Sequence, residues 1–310
     1  MHNNLIWNAM TMPHTELASV FPKIGFIGAG RLGCALAWCL DQKGAHVHAV
    51  ASRSADSATA LAAGCSACAV MSPQQVADEC DLIFITTPDA AIAPAAEGIC
   101  WRPGSSVVHC SGATEVQVLG KALAEGAEVG GFHPMHTFAD PVTAARTLSG
   151  CVITIEAGEP LSQRLSRLVT ALGCTVNHLP AGMRVRYHAS CGFASQFVNV
   201  LLAEGVGAWQ SWGSTEQAAL AAFLPMLRGT IASIETSGLA KGMPGPVSRG
   251  DTHTVERHVQ ALRDFDPDMA SFYRALCRRS VPLAQKAGRI DDAQAASIKA
   301  VLDTAGDAPE

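Results

Sequence analysis

The stretch "KIGFIGAGRLGCALAWCLDQKG", Lys23 to Gly44, constrains the fold more than any other part of the chain. An apolar β-type run enters a turn that carries Gly28, Gly30 and Gly33 in G-x-G-x-x-G order, and the turn opens an apolar helix that ends at Gly44. A strand delivered into a helix through so tight a turn is the start of a βαβ unit, and parallel strands built this way are covered on both faces. In that context Gly28 allows the turn, Gly30 lets the backbone approach a pyrophosphate closely, and Gly33 permits packing of helix on strand. The free N–H groups and positive dipole end of the helix then face the anion. Gly28, Ala29, Gly30, Arg31, Leu32 and Gly33 are therefore candidate cofactor contacts.

The alternation continues to about Pro180. "HVHAVA", "ACAVM", "DLIFITT", "SSVVHCSG", "AEVGGFHPM", "CVITIEAG" and "CTVNHLP" have strand character, and helical runs such as "SADSATALAAG" and "PLSQRLSRLVTALG" separate them. Beyond Pro180 every long run has helical periodicity. The expected fold class is an α/β N-terminal Rossmann domain with a mostly parallel, doubly wound sheet, followed by an all-α domain. The expected boundaries are an N-terminal extension at 1–22, the dinucleotide-binding domain at 23–180 and the helical domain at 181–310.

The bulk numbers exclude several function classes. Of 310 residues 48% are hydrophobic, enough for sizeable cores, and the net charge of −5 argues against a general nucleic-acid surface. The eleven cysteines are spread along the chain rather than set in a disulfide framework, which suits a reducing, cytoplasmic setting. The first 22 residues contain no apolar core of signal-peptide length and no run reaches about 18 apolar residues, so neither a signal peptide nor a membrane span is expected. Cys65 and Cys68 form one CxxC without a second pair, and His133, His136 and Asp140 sit in a Gly/Pro-rich stretch without a fixed face, so no metal site is expected.

The second strand ends in "ASRS", where an NAD site usually has an acidic residue for the ribose 2′-hydroxyl. Ser52, Arg53 and Ser54 stand there instead. A guanidinium between hydroxyls suits a 2′-phosphate, which favours NADP(H) over NAD; the other reading of Arg53 is a solvated charge. Thr86, Thr87 and Pro88 follow the fourth strand, and Ser111 and Gly112 follow the fifth. Both lie at carboxyl ends of parallel strands, where ligands bind. Ser111 is either a substrate contact or a turn cap.

In the helical half, "RVRYHASCGFASQFVNVLL" sets His188, Gly192, Ser195 or Gln196, and Asn199 at spacings of three and four, one polar stripe if the helix is continuous. Ala189, Phe193, Phe197, Val200 and Leu201 form the opposing apolar stripe. The stripe alone leaves core and site equally open for His188. "GGFHPMHTF" places His133 in a loop beyond a strand end, as a substrate-side or structural residue. "GPVSRGDTHTVERH" offers Asp251 as an N-cap and Arg249 as an anion clamp or an inter-subunit ion-pair partner.

Together, "IGFIGAGRLG", "DLIFITTPDAAI", "VVHCSGA", "GFHPMHTF", "YHASCGFASQF" and "GPVSRGDTHTVERH" resemble the Rossmann-like proteins with a DUF2520 C-terminal domain. That family is similar to pyrroline-5-carboxylate reductase, ketopantoate reductase and the β-hydroxyacid dehydrogenases, whose helical domain is like that of 6-phosphogluconate dehydrogenase. The resemblance implies a cleft between the domains and a homodimer formed through the helical domain. It also implies that His188 stands where hydroxyacid dehydrogenases and ketopantoate reductases carry a catalytic lysine, with Gln196 or Asn199 near their asparagine. The chain departs from the lysine pattern, so a lysine acid/base mechanism does not carry over.

The expectation is an NADP(H)-dependent oxidoreductase that transfers hydride to a small 2-oxo acid, ketopantoate-type first, or to a cyclic imine acid. His188 is the expected proton donor. Gln196 and Asn199 orient the substrate, Ser111 and Arg249 hold its carboxylate, and Gly112 and His133 are further substrate-side residues. The expected partners are this small carboxylate and a second copy of the chain, with neither nucleic acid nor membrane. The alternative is a non-catalytic NADP(H)-binding sensor or regulatory protein.

Overall fold

A computed structural model of the chain describes residues 20–304, so most of the expected extension at 1–22 lies outside the described residues. The chain divides into two compact units, one ending at Ala194 and one starting at Ser195. The first runs β1 (Ile24–Ile27), α1 (Arg31–Gln42), β2 (Val47–Ala51), α2 (Ala55–Ala63), β3 (Ala69–Val70), α3 (Pro73–Glu79), β4 (Leu82–Ile85), α4 (Ile92–Glu97) and β5 (Ser106–His109). It continues with α5 (Gly120–Ala124), β6 (Glu128–Pro134), α6 (Pro141–Thr147), β7 (Val152–Ala157), α7 (Leu161–Ala171), β8 (Thr175–His178) and α8 (Arg184–Cys191).

The eight strands form one sheet in the order β3-β2-β1-β4-β5-β6-β7-β8. β1 to β6 are parallel, β7 is antiparallel to β6, and β8 is parallel to β7. β1, β4 and β5 are buried at every position, as strands covered on both faces must be. Alternation along them feeds two cores. Phe26, Phe84 and Phe132 pack on one face with Leu36 and Leu40 of α1 and Leu165 and Leu168 of α7. Ile27, Ile83, Ile85 and Val107 pack on the other with Val76 of α3 and Ile92 of α4. Each such side chain contributes roughly 1.5–3 kcal/mol when fully buried.

Because the carboxyl ends of β1, β4, β5 and β6 share one edge of the sheet, Gly28, Thr86, Ser111 and His133 are brought to the same side. β6 extends through Pro134, pairing His133 with Thr154 of β7. His133 is therefore a strand residue, not the loop residue expected from its glycine- and proline-rich surroundings. A second difference concerns the first helix after the sheet. α8 stops at Cys191, a 3-10 turn spans Gly192–Ala194, and Ser195 has non-helical dihedrals (φ −130°, ψ −94°). The expected continuous stripe from His188 to Asn199 is broken there: His188 belongs to the first unit, Gln196 and Asn199 to the second.

The second unit comprises α9 (Gln196–Gln210), α10 (Glu216–Gly242), α11 (Thr252–Phe265), α12 (Pro267–Lys286) and α13 (Asp292–Thr304). Its core lies in α11 to α13, where Val255, Val259, Cys277, Val281, Ile298 and Leu302 meet. Asp251 caps α11, accepting the Thr254 N–H at 3.0 Å. α9 and α10 pack on each other: Gly205 leaves room for Phe223, which also meets Trp209 edge-on at 5.3 Å. Otherwise these two helices bury only Val206 and Ala219. Val200, Leu201, Trp212, Leu224, Met226, Ile231, Ile234 and Leu239 are exposed.

Candidate functional site

The glycine turn is built as its spacing predicts, and each glycine has a distinct structural reason. Gly28 has φ +112°, and a Cβ on it would lie 2.7 Å from the Thr86 carbonyl carbon and 2.8 Å from the Thr87 nitrogen. A Cβ on Gly33 would lie 2.7 Å from both the Gly28 oxygen and Thr86 Oγ1, and Thr86 Oγ1 donates to that same oxygen at 2.6 Å. These two glycines hold β1, β4 and α1 together. Gly30 is different. Its φ is −77°, and the nearest atom to a Cβ there is the Thr86 oxygen at 3.9 Å, so neither strain nor packing within the protein asks for glycine.

Gly30 is also the N-cap of α1, with no side-chain cap and no acidic residue in the first turn. Four N–H groups at a helix start need partners from outside the helix, and here an anion is free to approach them. The buried Thr87 hydroxyl, at the same strand edge, has no hydrogen-bond partner. These observations fit a dinucleotide: an open cradle at Gly30, an uncapped helix start and an orphaned hydroxyl. Arg53 is exposed at the end of β2, beside half-buried Ser52. Ser54 caps α2 by accepting the Ser57 N–H at 3.2 Å, so its hydroxyl already has structural work.

Along the same edge lies a polar cluster. Arg184, fully buried at the start of α8, pairs with Glu156 of β7 and donates from Nη1 to the Ser111 carbonyl at 2.7 Å. The guanidinium lies over Gly131, where a Cβ would come within 1.5 Å of Nη2, which explains the glycine. Ser111 Oγ accepts the N–H groups of Ala113 and Thr114 at 3.2 and 3.0 Å and so caps the turn that follows β5. The next residue, Gly112, is where two histidines meet. A Cβ on Gly112 would lie 2.3 Å from His188 Cδ2 and 2.9 Å from His133 Nε2. The two rings are 5.6 Å apart, edge to face.

His133 Nδ1 lies 2.7 Å from the Tyr187 hydroxyl, a partner absent from the expected site. Burial, followed by the charges of His188 and Arg184, pushes the His133 pKa down to about 4. Burial pushes the Tyr187 phenol up to about 12, with a hydrogen bond from Thr154 opposing it. His109 in β5 is pushed down to about 3, chiefly by burial and then by Arg184. Both His109 and His133 are thus neutral imidazoles near pH 7.

The first unit brings together His188, His133, Gly112 and Ser111. Gln196, Asn199 and Arg249 belong to the second unit; Asn199 Nδ2 donates to the Ser195 carbonyl at 3.5 Å, and Arg249 is exposed in the turn before α11. His136 and Asp140 have local partners: His136 Nδ1 contacts the Thr137 carbonyl at 2.8 Å, and Asp140 caps α6 through the Thr143 N–H at 2.7 Å. Among the described residues no cluster of three potential metal ligands occurs. Tyr187 carried no sequence signal, and Arg184 only an indirect one: a buried guanidinium needs a small residue beneath it, and "GG" in "VGGFHP" supplies one.

Family models match the chain twice: a Rossmann-like domain at residues 10–134 and the Domain of unknown function DUF2520 at residues 151–280. No curated protein matches. Among solved structures, a Bacteroides fragilis protein described as an NADP oxidoreductase is 24% identical, covering 84% of this chain and 98% of its own, with TM-score 0.66. An Aspergillus terreus reductive aminase in complex with NADPH and ethyl-5-oxohexanoate is 16% identical, with coverage of 90% and 98% and TM-score 0.63. A Plasmodium falciparum pyrroline carboxylate reductase with NADP bound is 13% identical, with coverage of 84% and 98% and TM-score 0.55. The chain therefore joins a Rossmann-like domain to a DUF2520 domain, and it has the fold of these oxidoreductases.

Proposed function

We propose that the protein is an NADP(H)-dependent reductase of a small 2-oxo acid or cyclic imine acid, a ketopantoate-type acid being the first candidate. The observation that carries this is the juxtaposition, on one edge of one sheet, of the open cradle at Gly30 and the histidine pair at Gly112. Gly28 to Gly33 would hold the pyrophosphate, with Thr86, Thr87 and Pro88 beside it, and Arg53 with Ser52 would take a 2′-phosphate. When bound, the nicotinamide supplies a hydride to the substrate carbon. The chain's part is to orient the substrate and to deliver a proton to its oxygen or nitrogen. His133, which burial keeps neutral well below pH 7, carries one ring N–H and one accepting nitrogen, and an imidazole of that kind can pass a proton on. The NADP(H) of the structural neighbours named above supports the choice of cofactor.

A second part of the proposal concerns assembly. α10 is long and apolar enough to cross a membrane by length and composition, with a mean hydropathy of 1.3 over a window that is only 6% buried. Pro225 lies inside it, and Gly238 interrupts it with φ 76°. We infer that a second copy of the chain covers α9 and α10, giving a homodimer through the helical unit. The rest of that unit has a core of its own, and most of the unit's exposed large apolar side chains lie on these two helices, with Phe265, Phe272 and Leu276 the exposed ones on α11 and α12.

The test of the reductase is to incubate the purified protein with NADPH and a panel of 2-oxo acids and cyclic imine acids and to follow NADPH oxidation. Oxidation that depends on one member of the panel supports the reading. NADPH binding without oxidation by any member favours the sensor.

A further inference from the structure

The hydroxyl of Tyr187 lies between Thr154 and His133. Asn177 Nδ2 of β8 donates to Thr154 Oγ1 of β7 at 3.1 Å, Thr154 acts on the Tyr187 hydroxyl from one side, and on the other that hydroxyl is 2.7 Å from His133 Nδ1. The chain of contacts has a direction. An amide NH2 only donates, so Thr154 Oγ1 accepts from Asn177 and has its own proton to pass on. That proton is available to the phenolic oxygen, and a phenol, the stronger acid of the pair, donates to the Nδ1 of a neutral imidazole. A neutral imidazole whose Nδ1 accepts carries its proton on Nε2, and Nε2 is the ring atom that faces Gly112. Thr154 is fully buried and Asn177 exposed, so the chain runs from the protein surface to the site.

We propose that His133, rather than His188, supplies the proton that completes the reduction, as the Nε2–H end of the chain Asn177–Thr154–Tyr187–His133. This rests on the reductase reading above. The step balances as a relay. A neutral imidazole gives up its Nε2 proton only if Nδ1 gains one, because imidazolate is too strong a base to leave behind. As the substrate's oxygen or nitrogen takes the Nε2 proton, Nδ1 takes the Tyr187 proton, and the ring remains neutral with its tautomer reversed. The ring then returns its Nδ1 proton to the phenolate while Nε2 takes one from water, which restores the Nε2–H form with one solvent proton consumed. The freshly reduced oxygen or nitrogen is a stronger base than the phenolate, so the transfer runs downhill. His133 is the catalytic residue of this step; Tyr187, Thr154 and Asn177 are positioning residues. His188 and Arg184, the latter paired with Glu156, are the titratable and charged groups that act on the His133 ring.

The test uses the full-length protein labelled with 15N-histidine, alongside Tyr187→Phe, Thr154→Val, His133→Asn and His188→Ala. His133→Asn assigns the His133 signals. Wild type is expected to show His133 with Nε2 protonated and Nδ1 bare at pH 7, and both Tyr187→Phe and Thr154→Val are expected to give a tautomer mixture. In the NADPH assay, His133→Asn is expected to lower kcat by about 10²–10⁴-fold, the usual range for losing a general acid. Tyr187→Phe is expected to lower kcat at least about tenfold within that range, with NADPH affinity unchanged, and His188→Ala to act mainly on KM. A wild-type spectrum with the proton on Nδ1 overturns the proposal, as does an active protein whose Tyr187→Phe variant keeps its kcat. A wild type that binds NADPH but oxidises it with no member of the panel overturns the reductase reading and the donor role with it, while the spectrum still decides whether the His133 tautomer is as stated.

Discussion

Among single residues, Gly30 and Gly33 separate fold from function. Gly33 is locked between Gly28 and Thr86, so Gly33→Ala is expected to cost about 1–3 kcal/mol by overpacking, read as a fall in Tm. Gly30 touches nothing that closely, so Gly30→Val is expected to change stability by less than about 1 kcal/mol, since N-cap preferences are of that size. The same substitution is expected to weaken NADPH binding at least about tenfold by filling the cradle, as the loss of one or two charged hydrogen bonds would. Equal effects on stability and binding would remove the distinction.

His109 and His133 give a second prediction at this scale. Their folded pKa values, about 3 and about 4, lie below the unfolded value of 6.5, so the unfolded chain binds more protons throughout the interval between. Stability is fully present above pH 6.5 and is lost as pH falls towards 4, on the order of 3 kcal/mol from His133 alone. Tm measured against pH is expected to drop across this window, and His133→Asn to flatten the slope. A Tm that is constant from pH 6.5 to 4.5 would contradict the assignment.

At the level of elements, the first half was legible because apolar strands and a glycine turn have strong local signatures. "IGFI", "LIFI" and "SVVH" became the three fully buried strands. The direction of β7 was not legible, because an apolar run is the same read either way and the Gly/Pro stretch after His133 hides the continuation of β6. The break after Cys191 was missed because Phe193, between small Gly192 and Ala194, keeps the apolar periodicity running to Phe197, so nothing in the pattern marks the non-helical dihedrals of Ser195. The His133–Tyr187 contact spans 54 residues and leaves no periodic trace. α8 is fastened to the sheet by Arg184, so Arg184→Met is expected to strand the Glu156 carboxylate and destabilise the first unit by about 3–5 kcal/mol. Replacing both, as Arg184→Met with Glu156→Gln, is expected to recover part of that loss in a thermal melt. A double variant no more stable than the single would mean that the pair is not what fastens α8.

At the scale of the whole molecule, α9 and α10 set the question. Their periodicity marked them as helices, but the apolar stripe of Val200 and Leu201 that would be core in a single chain is exposed. Composition says that such a face is covered; it does not say by what. The homodimer predicts twice the chain mass by light scattering, and Ile231→Glu with Leu239→Glu is expected to give monomer. A monomeric wild type would contradict it, and association of the wild type with lipid vesicles would assign α10 to a membrane instead.

The central claim is that the first unit holds NADP(H), and titration calorimetry with NADPH and with NADH tests it most directly. Arg53 offers a charge-assisted contact worth roughly 1.5–3 kcal/mol to the 2′-phosphate, so wild type is expected to prefer NADPH by about ten- to hundredfold. Arg53→Ala is expected to bring the two affinities close together. Equal affinities in the wild type, or no heat of binding from either dinucleotide, would contradict the account.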